Sequence, residues 1–165
     1  MGATYLVDGY NLLHAMGLLG GRVGPHGLEK ARARFLGLLH GSFGDKASTV
    51  TVVFDARHAP PNVDKEQHYR GVHVVFAMGG QEADDVIEKL VGLASAPKSL
   101  HVVSDDHRIQ QTARRRRCVV LGCEEFLTEL ERRRKESRRA QETSEKIEKL
   151  SEQETRRWLK EFGAE

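Results

Sequence analysis

The chain has 165 residues, enough for one domain of ordinary size, with 39% hydrophobic and 30% charged residues. Its net charge of +2 is spread evenly: residues 1–130 carry 15 basic and 15 acidic side chains, residues 131–165 carry 11 and 9, so overall charge gives no argument for nucleic acid. No run of 18 apolar residues is present, which excludes a transmembrane helix. The N-terminus lacks the pattern of a signal peptide, and two cysteines, Cys118 and Cys123, give neither a zinc knuckle nor a disulfide framework, so a cytoplasmic protein is expected.

Thr4–Val7 reads as a short buried strand that runs into the polar stretch Asp8-Gly9-Tyr10-Asn11. Leu28, Ala31, Phe35, Leu38 and Leu39 recur at helical spacing. Ser48–Ala56 is β-branched and ends on Asp55, and Pro60 and Pro61 then mark a loop. Val72–Ala77 is a third strand. Gly79 and Gly80 lead into a helix from about Gln81, with Val86, Ile87, Leu90, Val91 and Ala94 on its inner face. Leu100–Asp106 is a fourth strand, followed by a short helix ending in Arg114, Arg115, Arg116 and Arg117, and Cys118–Gly122 is a fifth strand. After Glu124 the chain reads as a long charged helix. The stretch between Leu130 and Ile147 suits either a solvated helix or a flexible arm, and Ser151–Glu154 looks like a capping box opening one last helix. Leu150, Trp158, Leu159 and Phe162 are expected to pack back on the domain, the alternative being an arm that pairs with a partner or lies on RNA. Strands alternating with helices argue for an α/β fold with a mostly parallel sheet.

Three strands end in aspartate, at Asp8, Asp55 and Asp105 with Asp106, and Glu82, Asp84 and Asp85 open the helix after the third strand. The carboxyl ends of parallel strands lie along one edge, where ligands bind, so these acids converge on one cleft. Carboxylates packed together repel, and a hard cation such as Mg²⁺ or Mn²⁺ relieves that repulsion. Each acid also has an ordinary structural role open to it. Glu82, Asp84 and Asp85 suit a helix start, Asp105 and Asp106 suit a cap, Asp8 suits a turn, and Asp55 is read as structural. Other chemistries find no support. There is no P-loop, no dinucleotide fingerprint, no paired aspartates of a haloacid-type phosphatase, and none of the eight histidines falls in a metal-like pairing.

The stretches VDGYN, VVFDA, GG-x-x-ADDVIEKL, VVSDD and FLTEL, in this order, resemble the YacP-like NYN family, a branch of the PIN-like nuclease superfamily. The resemblance covers about residues 4–130 and implies a three-layer α/β/α fold; residues 131–165 lie outside it and read as a charged helical extension. It implies a metal-dependent endoribonuclease that uses Mg²⁺ or Mn²⁺ on RNA, messenger or ribosomal, in some members at the ribosome. Matched by position, Asp8, Asp84 and Asp105 would be catalytic and hold metal, with Asp85 and Glu82 assisting and Asn11, Ser104 and Asp106 supporting. Gln81 stands where the family usually has glutamate, and a glutamate follows one residue later, about 100° around a helix. That departure favours the alternative, a non-catalytic RNA- or ribosome-binding protein on the same fold. Arg22, Arg57, Arg70, Arg108 and Arg114–Arg117 are candidates for a basic rim that brings RNA to the cleft, and Arg132–Lys135 with Arg138 and Arg139 form a second cluster. No membrane partner is expected, and oligomeric state is not legible.

Overall fold

The structure, a computed structural model, describes residues 2–19, 24–56, 59 and 61–163. Six strands form one sheet: β1 (Thr4–Asp8), β2 (Val50–Asp55), β3 (Glu66–Tyr69), β4 (Val72–Ala77), β5 (Leu100–Val103) and β6 (Val119–Leu121). Their order across the sheet is β3-β4-β2-β1-β5-β6, and all pairings are parallel except the β3–β4 hairpin. The described helices are α1 (Gly9–Ala15), α2 (Pro25–Phe43), α3 (Ala83–Leu93), α4 (His107–Arg115) and α5 (Cys123–Phe162). This is the α/β/α sandwich expected. From β1 the chain moves outward through β2 to β4, then crosses back to place β5 on the other flank of β1. The strand order therefore reverses between β1 and β5, the position at which open α/β sheets bind ligands.

Alternation along the strands builds two cores. Tyr5, Val7, Val50, Val52, Phe54, Val74 and Phe76 face α1, α2 and the start of α5, where they meet Leu12, Leu13, Phe35, Leu39 and Phe126. Leu6, Val53, Val75 and Val102 face the opposite way, against Val86, Ile87 and Val91 of α3 and Ile109 and Ala113 of α4.

Two elements depart from the sequence reading. Residues 9–15, unassigned in the sequence reading, form a helix, and Gly9 is demanded by space, since a Cβ there would overlap the Phe54 ring and lie 2.9 Å from the Val53 carbonyl oxygen. Glu66–Tyr69 is an edge strand whose side chains are mostly exposed, so it carries no apolar alternation to betray it.

Helix α5 runs unbroken for 40 residues. The boundary expected at 130/131 falls inside it. Cys123, Phe126 and Leu130 are buried at helical spacing. Just beyond them, Arg133 Nη2 donates to Tyr5 Oη and to Glu129 Oε1, both at 3.0 Å, and its guanidinium lies 4.3 Å from the Phe43 ring centroid. From Arg134 onward the helix is exposed. The stretch before Ile147 is thus a solvated helix. Ser151–Glu154 opens no new helix: Ser151 lies within α5, where its carbonyl accepts a bond from Thr155 Oγ1 at 2.8 Å. Flanking Glu, Lys and Leu residues favour continuation over a cap. Nor do the apolar residues fold back, since Leu150, Trp158, Leu159 and Phe162 are all more than half exposed.

Candidate active site

A pocket of about 400 Å³ opens at the carboxyl ends of β1, β2 and β4, lined by Asp8, Tyr10, Asn11, His14, Asp55, Glu82, Ala83, Asp84 and Asp106. Five of these nine side chains are carboxylates, and no Lys or Arg among the described residues lines the pocket. Asp8 is its buried floor, 5% exposed. Asp8 Oδ2 accepts a bond of 2.9 Å from Ser104 Oγ at the end of β5, and Ser104 Oγ in turn accepts 3.1 Å from the Asp106 backbone N–H. Ser104 therefore ties the two strand ends on either side of the switch point.

Burial pushes the Asp8 carboxyl up to about 6. The Ser104 hydroxyl and the Asn11 backbone N–H pull it down, and the charges of Asp84 and Asp106 push it further up. Asp84 is also raised, first by burial and then by Asp106. Its neighbour Asp85 shifts the other way. Asp85 Oδ2 accepts from the Glu82 backbone N–H at 3.1 Å, and its Oδ1 accepts from Arg108 Nη2 at 3.1 Å, which together hold it below the usual range. Asp85 is thus engaged in the cap of α3, one residue along from the pocket.

The two aspartates that follow β5 divide their roles. Asp106 faces the pocket while its Oδ1 caps α4, accepting from Arg108 N at 2.8 Å and Ile109 N at 3.3 Å. Asp105 turns away: its Oδ1 accepts from Cys123 N at 2.9 Å, where α5 begins. The structure thus brings Asp8, Asp84, Glu82 and Asp106 together and leaves Asp105 and Asp85 outside. Asn11 spans the same junction, its Oδ1 accepting from Asp105 N at 3.1 Å and from Cys123 Sγ at 3.3 Å. Its side chain holds the β5–α4 turn in place, and its backbone N–H is the part that faces Asp8. Cys123 itself is buried, its thiol pushed up to about 12, and is an inert packing residue.

His14 is one of the eight histidines that the sequence reading sets aside. It lies one turn beyond Tyr10 on α1, so the signal becomes visible only once residues 9–15 are known to be helical. Tyr10 packs its edge on Phe54, with ring centroids 6.3 Å apart. Asp55, read as structural, also lines the pocket. Gln81 does not: it borders a separate groove of about 460 Å³ between α3 and the sheet, and Glu82 takes the place at the acidic rim.

Most of the described basic-rim candidates lie away from the pocket. Strand β4 begins next to the start of β2, so Arg70, in the β3–β4 turn, lies at the opposite edge of the sheet from the pocket. Helix α4 runs away from the pocket, so Arg114–Arg117 lie at that far edge too, where Arg116 Nη2 donates to the Ala94 carbonyl at 3.0 Å. Arg108 is near the pocket but clamps α4 to α3, its Nε and Nη2 donating to Glu88 at 2.8 and 3.0 Å. Arg22 and Arg57 lie outside the described residues.

A divalent cation suits this donor set in one respect and is not preformed in another. The carboxylates are hard oxygen donors whose charges raise one another, as a cation would relieve. Among the described residues, however, no three His, Cys, Asp or Glu side chains already converge closely enough to ligate an ion.

Fold and pocket together define a PIN-like, nuclease-related α/β domain with an acidic cleft at its switch point. The chain belongs to the YacP-like NYN domain family, which it matches over residues 5–163, so the family likeness includes nearly all of α5. It is 32% identical over 144 residues to the uncharacterized protein YacP of Bacillus subtilis (strain 168), covering 86% of this chain and 84% of that protein. It also resembles two crystal structures of Rae1 (YacP) from Bacillus subtilis. One, of a tryptophan-to-leucine mutant, matches with a TM-score of 0.65 and 28% identity over 92% of this chain and 89% of that one. The other matches with a TM-score of 0.65 and 26% identity over 96% and 91%. No helix of the described residues is long and apolar enough to cross a membrane.

Proposed function

We propose that the protein is a divalent-cation-dependent endoribonuclease that hydrolyses RNA phosphodiester bonds in the pocket at the carboxyl ends of β1, β2 and β4. The observation that carries this reading is the buried Asp8, whose carboxyl is pushed to about 6 beside Asp84 and Asp106 in a pocket lined by no described Lys or Arg. When bound, Mg²⁺ or Mn²⁺ supplies positive charge for the phosphodiester and makes water a better nucleophile. Asp8, Asp84 and Asp106 would hold it, with Glu82 at the rim. Ser104 orients Asp8, and Asn11 fixes the turn that carries Asp106. His14 lines the α1 side of the pocket, and we assign it the task of passing a proton to the leaving oxygen. The substrate class that the family suggests is RNA, and ribosome-associated RNA is the narrower expectation. A cytoplasmic setting suits the two free buried thiols, Cys118 and Cys123.

The test is cleavage of single-stranded and structured RNA with Mn²⁺, Mg²⁺ or chelator. Cleavage is expected only with cation and should fall about 10³-fold or more in Asp8→Asn. Equal cleavage by that variant would sink the proposal. The second reading, RNA binding without catalysis, draws on the absence of a preformed ligand group among the described residues and on Gln81. Calorimetric titration with Mn²⁺ separates the two: binding that Asp84→Asn removes favours the nuclease, and no binding favours the module.

A further inference from the structure

From Arg134 onward every described side chain of α5 is exposed, yet the helix is not polar all round. Ile147, Leu150, Trp158, Leu159 and Phe162 are between 55 and 70% exposed. Ile147, Leu150, Trp158 and Phe162 fall at helical spacing, with Glu154 between the second and third, so they form one stripe about four turns long. Leu159 flanks it, and the Trp158 and Phe162 ring centroids lie 5.9 Å apart. Single apolar side chains on a surface are ordinary, but a continuous stripe on a projecting helix marks a contact. The chain's own domain does not supply that contact. Helix α5 is unbroken and has neither Pro nor Gly between Cys123 and Phe162 to bend it back, so the stripe meets another molecule.

The charges along the helix fit a second copy of the same segment, running the opposite way. Six of the eight residues from Arg132 to Arg139 are basic, and a parallel pair would set that block against itself. An antiparallel pair with Leu150 at the two-fold axis instead brings Glu154 level with Lys146 of the second copy, and Glu161 level with Arg139, each contact made twice by symmetry. None of these four side chains has an ion pair in its own chain among the described residues, whereas Arg132, Arg133, Lys135 and Arg156 do. Length fits as well. In that register Phe162 of the second copy reaches the level of Arg138, so its helix stops about 7 Å short of Arg133, where α5 enters the domain, at a rise of about 1.5 Å per residue. Ala140, Thr143 and Ser144 continue the stripe at about the levels that Phe162 and Trp158 of the second copy occupy, and their small size leaves room for the two rings.

We propose that α5 beyond Arg134 pairs antiparallel with the same segment of a second copy of this chain, forming a dimer whose domains sit at opposite ends of a two-helix rod. The inference goes beyond the nuclease reading and does not depend on it. Trp158 and Phe162 anchor the pair, and Glu154, the one charged side chain within the stripe, fixes direction and register by meeting Lys146.

The experiment is sedimentation equilibrium of the full chain from about 5 to about 200 µM, a range that reads micromolar association. The wild type should approach twice the mass of one chain. Trp158→Ser/Phe162→Ser removes the anchors at positions exposed in the single chain and should weaken association at least about 100-fold, with the far-UV circular dichroism of a folded domain retained. Glu154→Lys and Lys146→Glu, each alone, set like charges against each other and should associate at least about tenfold more weakly than wild type. An equimolar mixture of those two variants should recover the wild-type affinity, because every reversed charge then meets its opposite across the antiparallel pair. A wild type that stays monomeric at the highest concentration overturns the pairing and leaves the stripe to a different protein or a lipid surface. A dimer that survives Trp158→Ser/Phe162→Ser overturns it too, since the contact would lie elsewhere. A mixture that associates no better than its two components overturns the antiparallel register.

Discussion

At the carboxyl-end edge of the sheet Asp8, Asp55, Glu82, Asp84 and Asp106 share one pocket, while at the opposite edge Arg70 and Arg114–Arg117 gather around the strand starts. Much of this sorting is ordinary helix chemistry. Helices α3 and α4 begin at the first edge, where their free N–H groups favour Glu82, Asp85 and Asp106. They end at the second, where Arg116 satisfies carbonyls of α3. Acid near a helix start is therefore weak support for catalysis, and Asp85, held below the usual range by such contacts, shows it. Asp8 is the exception that carries weight. It occupies the N-cap position of α1, which lowers a carboxyl's pKa, yet burial and its acidic neighbours leave it raised to about 6. A residue kept in an unfavourable protonation environment against its own local structure is a functional candidate in a way that a cap is not.

The largest expected effect breaks the comparison at that residue. Asp8→Asn should abolish cation-dependent cleavage and, in chelator, raise stability. Asp8's folded pKa lies above its unfolded value near 3.8, so folding favours the protonated form. Its contribution is full below about pH 4 and is lost as pH rises through about 6. At pH 7.5 the shift amounts to about 3 kcal/mol at most. The variant should therefore melt higher than wild type at pH 7.5 and match it near pH 4, with Mn²⁺ closing the gap at the higher pH. Thermal melts across that range with and without chelator check this. A wild type that is the more stable protein at pH 7.5 in chelator would remove the strained carboxyl.

Next in size is the division between the two aspartates after β5. Asparagine caps a helix as well as aspartate does, so Asp106→Asn keeps the cap of α4 while deleting the charge at the pocket. RNA cleavage should drop about 10²-fold with little change in melting temperature. Asp105→Asn, whose side chain meets Cys123 N at the start of α5, should leave cleavage within a few-fold of wild type. Rates for the two variants under one Mn²⁺ concentration decide it, and the reverse order would return the site to Asp105.

This pair also marks how far the sequence could be read. Strand ends and helix starts follow from periodicity and punctuation, so the parallel sheet and its acidic edge were legible from Thr4–Val7, Ser48–Ala56 and Leu100–Asp106. Which of two adjacent aspartates faces the cleft depends on the backbone turn after Val103, and no composition signal encodes that. Glu66–Tyr69 pairs by backbone alone at an edge, leaving no apolar pattern. Part of the expected basic rim lies elsewhere for a topological reason: Arg70 and Arg114–Arg117 are near acids in sequence, but each sits one element's length away, at the other end of a strand or helix. His14 needed α1 to be recognised first.

The smallest expected effect concerns α5, whose two parts contrast as the two edges do. Its first turns are buried through Phe126 and Leu130 and clamped by Arg133 on Phe43 and Tyr5. Beyond Arg134 its side chains are exposed, and its ion pairs, such as Lys135 with Glu131 and Arg156 with Glu152, are i,i+4 pairs on the surface. Such pairs contribute a few tenths of a kcal/mol each to the helix and nothing to the docking of one element on another. A chain ending at Ala140 keeps every buried contact of α5. It should melt within about 2 °C of the full chain, whereas Leu130→Ala, which opens a cavity against α2 and the sheet, should cost about 2–5 kcal/mol. Calorimetry on the two variants reads the difference. A large loss on truncation would mean that Trp158, Leu159 and Phe162 stabilise the folded domain. An unchanged melt leaves those exposed apolar side chains with no folding role and places the structural boundary of the domain at Arg133, within the helix.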